Sequence, residues 1–193
     1  TARSNGGHAS APSKGTPIAR LSAFVNEVET HSPFRKKLLP EVSAMFTELA
    51  PYAGFGMKLV FGNVWLFGPV LKAVMPAISA QAGAMLKTTI AFTVQKGSDA
   101  YNVLPQEAYV GANMRFIPHQ GEKESLEIIK KVAGKYGLET EVLHANDYTP
   151  PVDIHGEAFH LVEQTIADTF PGLPSSPYVM TGATDAQFYQ PIC

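Results

Sequence analysis

A histidine near the start of the chain lies in a run of small residues, Gly6-Gly7-His8-Ala9-Ser10. Glycine adopts turn conformations that other residues avoid, so this run can direct the His8 imidazole at a ligand. A solvent-exposed loop histidine is the alternative, and residue type alone leaves both interpretations open. A second candidate is Thr184-Asp185, which follows a predicted short strand. Its carboxylate could bind a ligand, orient a neighbouring group or merely cap the next turn.

The other histidines and the single cysteine do not form a metal-binding pattern. His155 and His160 are five residues apart, so they do not share a helix face. His119 and His144 have no carboxylate or cysteine at ligand spacing, and the lone Cys193 excludes a disulfide framework and a cysteine-based zinc cluster. We therefore predict no complete metal site in this chain.

The overall composition limits the class of protein and of partner. The formal net charge is -2 and no basic stripe occurs, which excludes a typical nucleic-acid-binding protein. Hydrophobic residues make up 45% and charged residues 17%, so the chain folds, and part of its surface is expected to face another subunit or domain. The N-terminal residues lack a signal-peptide core and no Asn-x-Ser/Thr sequon occurs, so we expect a cytoplasmic location. The longest apolar run, residues 59–71, is too short for a membrane span.

The elements that must position these residues follow a recognisable order. After a short N-terminal strand, Thr16-Pro17 starts a helix that runs to about His31. Residues 39–86 are punctuated by glycines and prolines, and we interpret them as an insertion of short, broken helices. Residues 89–94 and 108–116 alternate with a period of two and predict antiparallel strands.

The second half of the pattern completes one fold and begins another. Residues 122–136 predict a helix ended by Gly137, and residues 138–144 predict a further strand. The resulting order is the split βαββαβ, ferredoxin-like order of an α+β protein. After a linker at 148–151, a helix over 156–169 and a short strand at Tyr178-Val179-Met180 begin a second unit. That unit is too small to form a core alone.

Six short motifs, in the same order along the chain, resemble those of the dinuclear-zinc aminoacylase and carboxypeptidase family. The closest similarity is to its carboxypeptidase S branch, whose members hydrolyse or form N-acyl amino acids. The motifs are Gly6-Gly7-His8-Ala9-Ser10-Ala11-Pro12, Lys87-Thr88-Thr89-Ile90-Ala91-Phe92-Thr93, Asn102-Val103-Leu104-Pro105, Ala112-Asn113-Met114-Arg115-Phe116-Ile117-Pro118, Phe170-Pro171-Gly172 and Gly182-Ala183-Thr184-Asp185.

The resemblance implies an architecture for the chain. Residues 1–147 correspond to a lid and dimerisation domain of ferredoxin-like fold, with the helical insertion at about 39–86. Residues 148–193 correspond to the start of the second α/β catalytic-domain segment, which is incomplete here. The family's catalytic domain holds two zinc ions, but its ligand motifs have no counterpart in this chain. We therefore expect the chain to be inactive alone.

The resemblance also implies roles for particular residues. His8 matches the lid histidine that reaches the oxyanion of the tetrahedral intermediate, usually from the partner subunit. Asn102 matches an asparagine that contacts the substrate carboxylate or the oxyanion. Such donors commonly contribute about 3 kcal/mol to transition-state stabilisation. Thr184 and Asp185 are expected near the substrate, and Gln187 stands where the branch usually has an arginine that would bind a substrate carboxylate.

The function that these observations favour is that of a zinc-dependent peptidase or amidase acting on peptide or N-acyl amino acid amide bonds. In the full enzyme, zinc-activated hydroxide would attack the amide carbonyl. The expected partners are a second copy of the chain and the substrate. The alternative is a non-catalytic ferredoxin-like module that only self-associates.

An apolar stretch inside the insertion has no assigned role in this interpretation. No acidic residue occurs from Leu49 to Ser98, and the charged side chains there are four lysines. The stretch contains Phe55, Leu59, Phe61, Trp65, Leu66, Phe67 and Leu71. We expect a dimer partner or an acyl chain to cover it, because so large an apolar patch is unfavourable in water. Ordinary packing against the lid sheet is the alternative.

Overall fold

The computed structural model describes residues 1–146, 150–182 and 184–189. Within them, short 3-10 helices cover Ala50–Tyr52, Pro118–Gln120 and Asp185–Phe188. The strands are β1 (Ala2–Arg3), β2 (Gly7–His8), β3 (Thr89–Lys96), β4 (Val103–Leu104) and β5 (Glu107–Arg115). The α-helices are α1 (Pro17–Thr30), α2 (Pro40–Leu49), α3 (Phe55–Phe61), α4 (Val64–Ile78), α5 (Ala80–Ala84), α6 (Glu122–Lys135) and α7 (Glu157–Thr169). This mixture confirms the α+β class.

The described chain divides into two compact units. The first contains Thr1–Arg35, Thr88–Phe116 and the described residues from Gln120 to 146. The second contains Lys36–Lys87, Ile117–His119 and the described residues from 150 onward. The predicted domain boundary at residue 147 lies outside the described residues and stays a prediction.

The first unit is built on an antiparallel sheet with strand order β1-β5-β3. The predicted pairing of the two long strands is confirmed, with Ile90 opposite Met114. A cluster of buried side chains from α1 and α6 packs against this sheet, with Phe24 meeting Phe92 edge to face at 5.6 Å. Its buried members are Phe24, Val28, Phe34, Ile129, Val132 and Ala133.

Local sequence explains where α1 and α6 begin and end. The Thr16 hydroxyl accepts a hydrogen bond from the Ala19 amide at 3.4 Å, which caps α1 as predicted. Gly137 has a φ of +60°, and the Leu138 amide donates to the Ala133 carbonyl at 3.1 Å, which closes α6. The apolar face of α1 is centred on Leu21, Phe24 and Val28, whereas Ile18, predicted on that face, is exposed.

A polar contact also joins α1 to α6. The Lys135 ammonium lies 2.6 Å from a Glu27 carboxylate oxygen, and the Tyr136 hydroxyl donates to the other oxygen. The Lys135 hydrogen bond, followed by the Tyr136 hydrogen bond, holds the pKa of Glu27 below its usual range. The same contact raises the pKa of Tyr136.

The predicted strand over 138–144 is wrong. The backbone there makes one reciprocal pair of hydrogen bonds, in which Thr1 and Glu139 each donate to the other's carbonyl at 2.8 Å. No ladder continues from this pair within the described residues. Residues 138–139 nevertheless lie beside β1, at the edge where a fourth strand was expected.

The second unit has its own core. Helices α2 and α4 and the segments beside them contribute a buried cluster consisting of Leu39, Val42, Met45, Val64, Leu71, Met75, Met85, Leu86 and Ile117. Gly83 allows α5 to approach α4, since a Cβ there would lie 3.2 Å from both Cα and Cβ of Pro76. The buried side chains of the insertion therefore pack on one another. A dimer partner or an acyl chain over its exposed side chains stays a prediction.

Two predictions for the second unit are wrong. Helix α4 runs unbroken through Pro69 and Pro76, although prolines usually interrupt helices. Burial of the stripe Val64, Gly68, Leu71 and Met75 on one side compensates for the lost hydrogen bonds. The predicted strand at 178–180 is absent, since these described residues have no regular structure. Helix α7 forms as predicted, yet none of its side chains is buried.

Candidate active site

The residues before His8 are held against the start of β5. The Ser4 amide donates to the Gln106 carbonyl at 2.8 Å, and the Ser4 hydroxyl donates to the Pro105 carbonyl at 2.9 Å. The same hydroxyl accepts a hydrogen bond from the Gly6 amide at 3.0 Å. One serine thus fixes the path of the chain from β1 into the glycine pair.

Both glycines before His8 are required by the backbone. Gly6 and Gly7 have φ values of +68° and +147°, in the region that side chains rarely adopt. A Cβ on Gly6 would also lie 2.8 Å from Cγ of Gln106 and 3.2 Å from the Leu104 carbonyl oxygen. The turn therefore depends on glycine for both conformation and space.

The turn leads directly into a small antiparallel ladder that presents His8. Gly7 pairs with Leu104 and His8 pairs with Val103, so β2 and β4 form a second, two-stranded sheet. The Ala9 amide then donates to the Asn102 carbonyl at 2.9 Å. This ladder brings His8 and Asn102, which are 94 residues apart in the sequence, to one place, and both side chains are exposed.

The hydrogen bonds of His8 determine which ring nitrogen carries the proton. The Ser10 amide donates to Nδ1 of His8 at 3.2 Å, and the Ser10 hydroxyl lies 2.8 Å from the same nitrogen. A backbone amide can only donate, so Nδ1 acts as the acceptor and the neutral ring is protonated on Nε2. The imidazole therefore presents an N–H donor on its exposed side.

The remaining predicted site residues belong to the second unit. Thr184 and Asp185 are exposed, and Asp185 opens the 3-10 helix that ends at Phe188. The side chain of Gln187 lies outside the described part of the structure. Whether these residues join His8 and Asn102 in one site stays a prediction, because the two pairs lie in separate units.

The described residues do not fit a metal ion. No group of three or more histidine, cysteine, aspartate or glutamate side chains is close enough to hold one in the described part of the chain. His160, for example, is engaged with Glu163 at 3.0 Å on the surface of α7.

Two functional contributors went unrecognised in the sequence. Ser10 sets the tautomer of His8, and Ser4 fixes the turn in front of it. For Ser10, the only signal is its position two residues after His8, from which a serine can form a hydrogen bond with the imidazole. The sequence gives no comparable signal for the second, because the Pro105 carbonyl to which Ser4 donates lies about 100 residues away.

Comparison with known proteins agrees with the motifs. Residues 1–141 match the family model described as the peptidase dimerisation domain of the M20 family. The chain is 30% identical over 191 residues to the N-fatty-acyl-amino acid synthase/hydrolase PM20D1 of Xenopus tropicalis, and 32% identical over 187 residues to that of Homo sapiens. It is 25% identical over 185 residues to the probable carboxypeptidase S-like 2 of Dictyostelium discoideum.

These matches cover 95% of this chain but only 36%, 37% and 35% of the three relatives, respectively. The chain therefore spans about a third of the length of the relatives it matches. No solved structure matches it significantly. The family model, which matches residues 1–141, covers well over half of the chain. The chain accordingly belongs to the M20 peptidase family and carries that family's dimerisation domain.

Proposed function

We propose that this chain is the lid and dimerisation part of a zinc-dependent M20 enzyme that hydrolyses peptide or N-acyl amino acid amide bonds. The observation that carries the proposal is the arrangement at His8. A glycine-dependent turn, a two-stranded ladder and Ser10 together present an Nε2–H donor next to Asn102.

This arrangement suits stabilisation of a developing negative charge. When an amide carbonyl is attacked, its oxygen becomes an oxyanion, and a donor already held in place needs no reorganisation to meet it. His8 would donate from Nε2, and its Nδ1 contact with Ser10 keeps the proton on that side. Asn102 has an exposed carboxamide that would donate to the oxyanion or to the substrate carboxylate.

The names of the relatives support the substrate class. Two of them are named N-fatty-acyl-amino acid synthase/hydrolase and one is named carboxypeptidase S-like. Thr184, Asp185 and Gln187 are proposed to contact the substrate. Gln187 donates a hydrogen bond without the charge that arginine would bring, so it would bind a free carboxylate less tightly.

The observed strand order supports a ferredoxin-like lid. Residues 138–139 lie beside β1, which is followed by β5 and β3, and helices α1 and α6 follow β1 and β5 in the chain. This is the arrangement expected of a βαββαβ fold whose last strand is reduced to one pair. We propose that the lid forms a homodimer, as the description of its family model implies.

Zinc would be bound outside the described residues. These residues hold no suitable cluster of ligands, so we derive no step through the metal from this chain. When bound elsewhere in the protein, zinc would supply the activated hydroxide of the family's reaction. We therefore propose that the chain alone is inactive. We also propose a cytoplasmic location for the protein.

The direct test is hydrolysis by the whole protein that contains this chain. We expect release of free amino acid from N-acyl amino acids, loss of activity on chelation and recovery with zinc. Sedimentation of the same preparation measures the dimer. A dimer without hydrolysis under any of these conditions would favour the non-catalytic self-association module instead.

A further inference from the structure

Helix α4 is apolar on the side that faces water as well as on the side that faces the core. Its buried stripe is Val64, Gly68, Leu71 and Met75. Its exposed positions carry no polar side chain other than the indole N–H, and they are Trp65, Leu66, Pro69, Val70, Ala73, Val74, Ala77 and Ile78. Lys72 is the one charged residue of α4, and a helix that is otherwise apolar on every side is normally buried in a core or in a membrane.

Helix α3 extends this outer surface. Phe55 is 89% exposed, Leu59 is also exposed, and the two helices meet at an angle of 106°. No single helix in the described chain is long and apolar enough to cross a membrane, although α3 and α4 together satisfy the length and composition of a bent span. We call the exposed side chains of α3 and α4 the outer apolar face.

The composition of this face favours lipid over protein as its partner. Protein interfaces contain about one hydrogen bond for every 100–200 Å². Apart from the indole of Trp65, which is 81% exposed, the eight outward positions of α4 cannot form side-chain hydrogen bonds. A hydrocarbon surface needs none. Tryptophan is also enriched at membrane–water interfaces, where its polar edge stays near the headgroups.

The charges near the face select the type of lipid and disfavour self-association. Lys58 is exposed on α3, and Lys72 lies half-buried at the flank of α4. No acidic residue occurs from Leu49 to Ser98. A contact between two copies of this face would offer these lysines no counter-charges from the same segment. An anionic bilayer supplies the counter-charges in its headgroups.

We propose that the outer apolar face docks on the surface of an anionic lipid bilayer, with α4 lying in the interface and Lys58 and Lys72 facing the headgroups. Short apolar helices flanked by lysines bind membranes in this way, without spanning them. The proposal is independent of the catalytic role of His8.

The chain contains its own reporter for this interaction, because Trp65 is its only tryptophan. The full chain is mixed with vesicles of equal parts phosphatidylcholine and phosphatidylserine, with or without brominated phosphatidylcholine. We expect the Trp65 emission to shift to shorter wavelength and the brominated lipid to quench it. Lys58→Gln should weaken binding about fivefold, since each basic residue near an anionic surface contributes on that scale.

A matched pair of variants makes the test specific. Val70 on α4 and Val162 on α7 are 53% and 58% exposed, and both lie within helices. Val70→Asp should reduce vesicle binding at least about tenfold, because a carboxylate is costly in the apolar layer. Val162→Asp should bind like the unmodified chain. If Val70→Asp lacks a native circular dichroism spectrum, quenching of the unmodified chain by brominated lipid decides alone.

Several results would overturn the proposal. One is the absence of a Trp65 shift with vesicles, and another is equal loss of binding in both aspartate variants. Shielding of Trp65 that increases with protein concentration without lipid would assign the face to a second copy of the chain. Shielding by a monomeric N-acyl amino acid, with no response to vesicles, would assign it to the substrate's acyl chain.

Discussion

Replacing Gly6 by alanine tests whether the turn before His8 is as tightly constrained as the structure indicates. The chain offers a control for the conformational part of the effect. Gly6 and Gly15 have nearly identical φ values of +68° and +69°. A Cβ on Gly15 would meet nothing within 4 Å, whereas one on Gly6 would crowd Gln106 and the Leu104 carbonyl.

The two substitutions should therefore differ in size. Left-handed alanine costs roughly 1–2 kcal/mol at either position. At Gly6 the Gln106 side chain can rotate away, but the Leu104 carbonyl oxygen, 3.2 Å from the added carbon, is held by the β2–β4 ladder. Overpacking of this kind adds roughly 1–3 kcal/mol. We expect Gly15→Ala to lower the free energy of unfolding by about 1 kcal/mol and Gly6→Ala by about 3 kcal/mol.

Urea unfolding of the full chain and kcat of the whole protein measure the two consequences. Gly6→Ala could also detach the turn locally without unfolding the whole unit. The two alanine variants would then differ less in their free energy of unfolding, but kcat would still fall in Gly6→Ala alone, because His8 is displaced. Equal stabilities together with equal kcat values for the two alanine variants would refute the reasoning about this turn.

Three further predictions concern other contacts. Glu27→Gln should lower the free energy of unfolding at neutral pH, and the difference between variant and unmodified chain should vanish as the pH falls through the lowered pKa of Glu27. Urea midpoints at several pH values test this, and Glu29→Gln, which changes an exposed side chain, is the control. Gly83→Ala should lower the thermal midpoint, because its Cβ would press on the Pro76 backbone, and an unchanged midpoint would show that α5 can move. In the whole protein, Asn102→Ala should raise KM for N-acyl amino acids more than for their methyl esters if the carboxamide binds the carboxylate. An equal fall in kcat for both substrates, with little change in KM, would place it at the oxyanion.

The sequence predicted the elements whose patterns are local. Thr16 caps α1 and Gly137 closes α6 because capping needs only the adjacent amides and carbonyls. The pairing of β3 with β5 followed from alternation in two neighbouring runs. His8 and Asn102 were identified through their motifs, and the ladder between β2 and β4 brings them together.

Features that depend on distant contacts were not predictable in the same way. The segment 138–144 has the composition of a strand, but a strand also requires a continuous ladder of hydrogen bonds to a distant segment. In the described residues that ladder is limited to the pair between Glu139 and Thr1. Helix α4 continues through Pro69 and Pro76 because burial of one stripe compensates for the missing hydrogen bonds, and burial is not visible in a local pattern. For the same reason Leu71, expected on the apolar surface, lies in the core, while Val70 belongs to the surface.

The central claim is that His8 stabilises the transition state, and the kinetics of His8→Ala in the whole protein test it most directly. An oxyanion donor acts mainly in the transition state, so kcat should fall roughly 100-fold or more while KM changes little. His160→Ala, which removes an exposed imidazole from α7, should leave both constants unchanged. An unchanged kcat in His8→Ala, or an equal loss in both variants, would contradict the account and leave His8 an ordinary loop histidine.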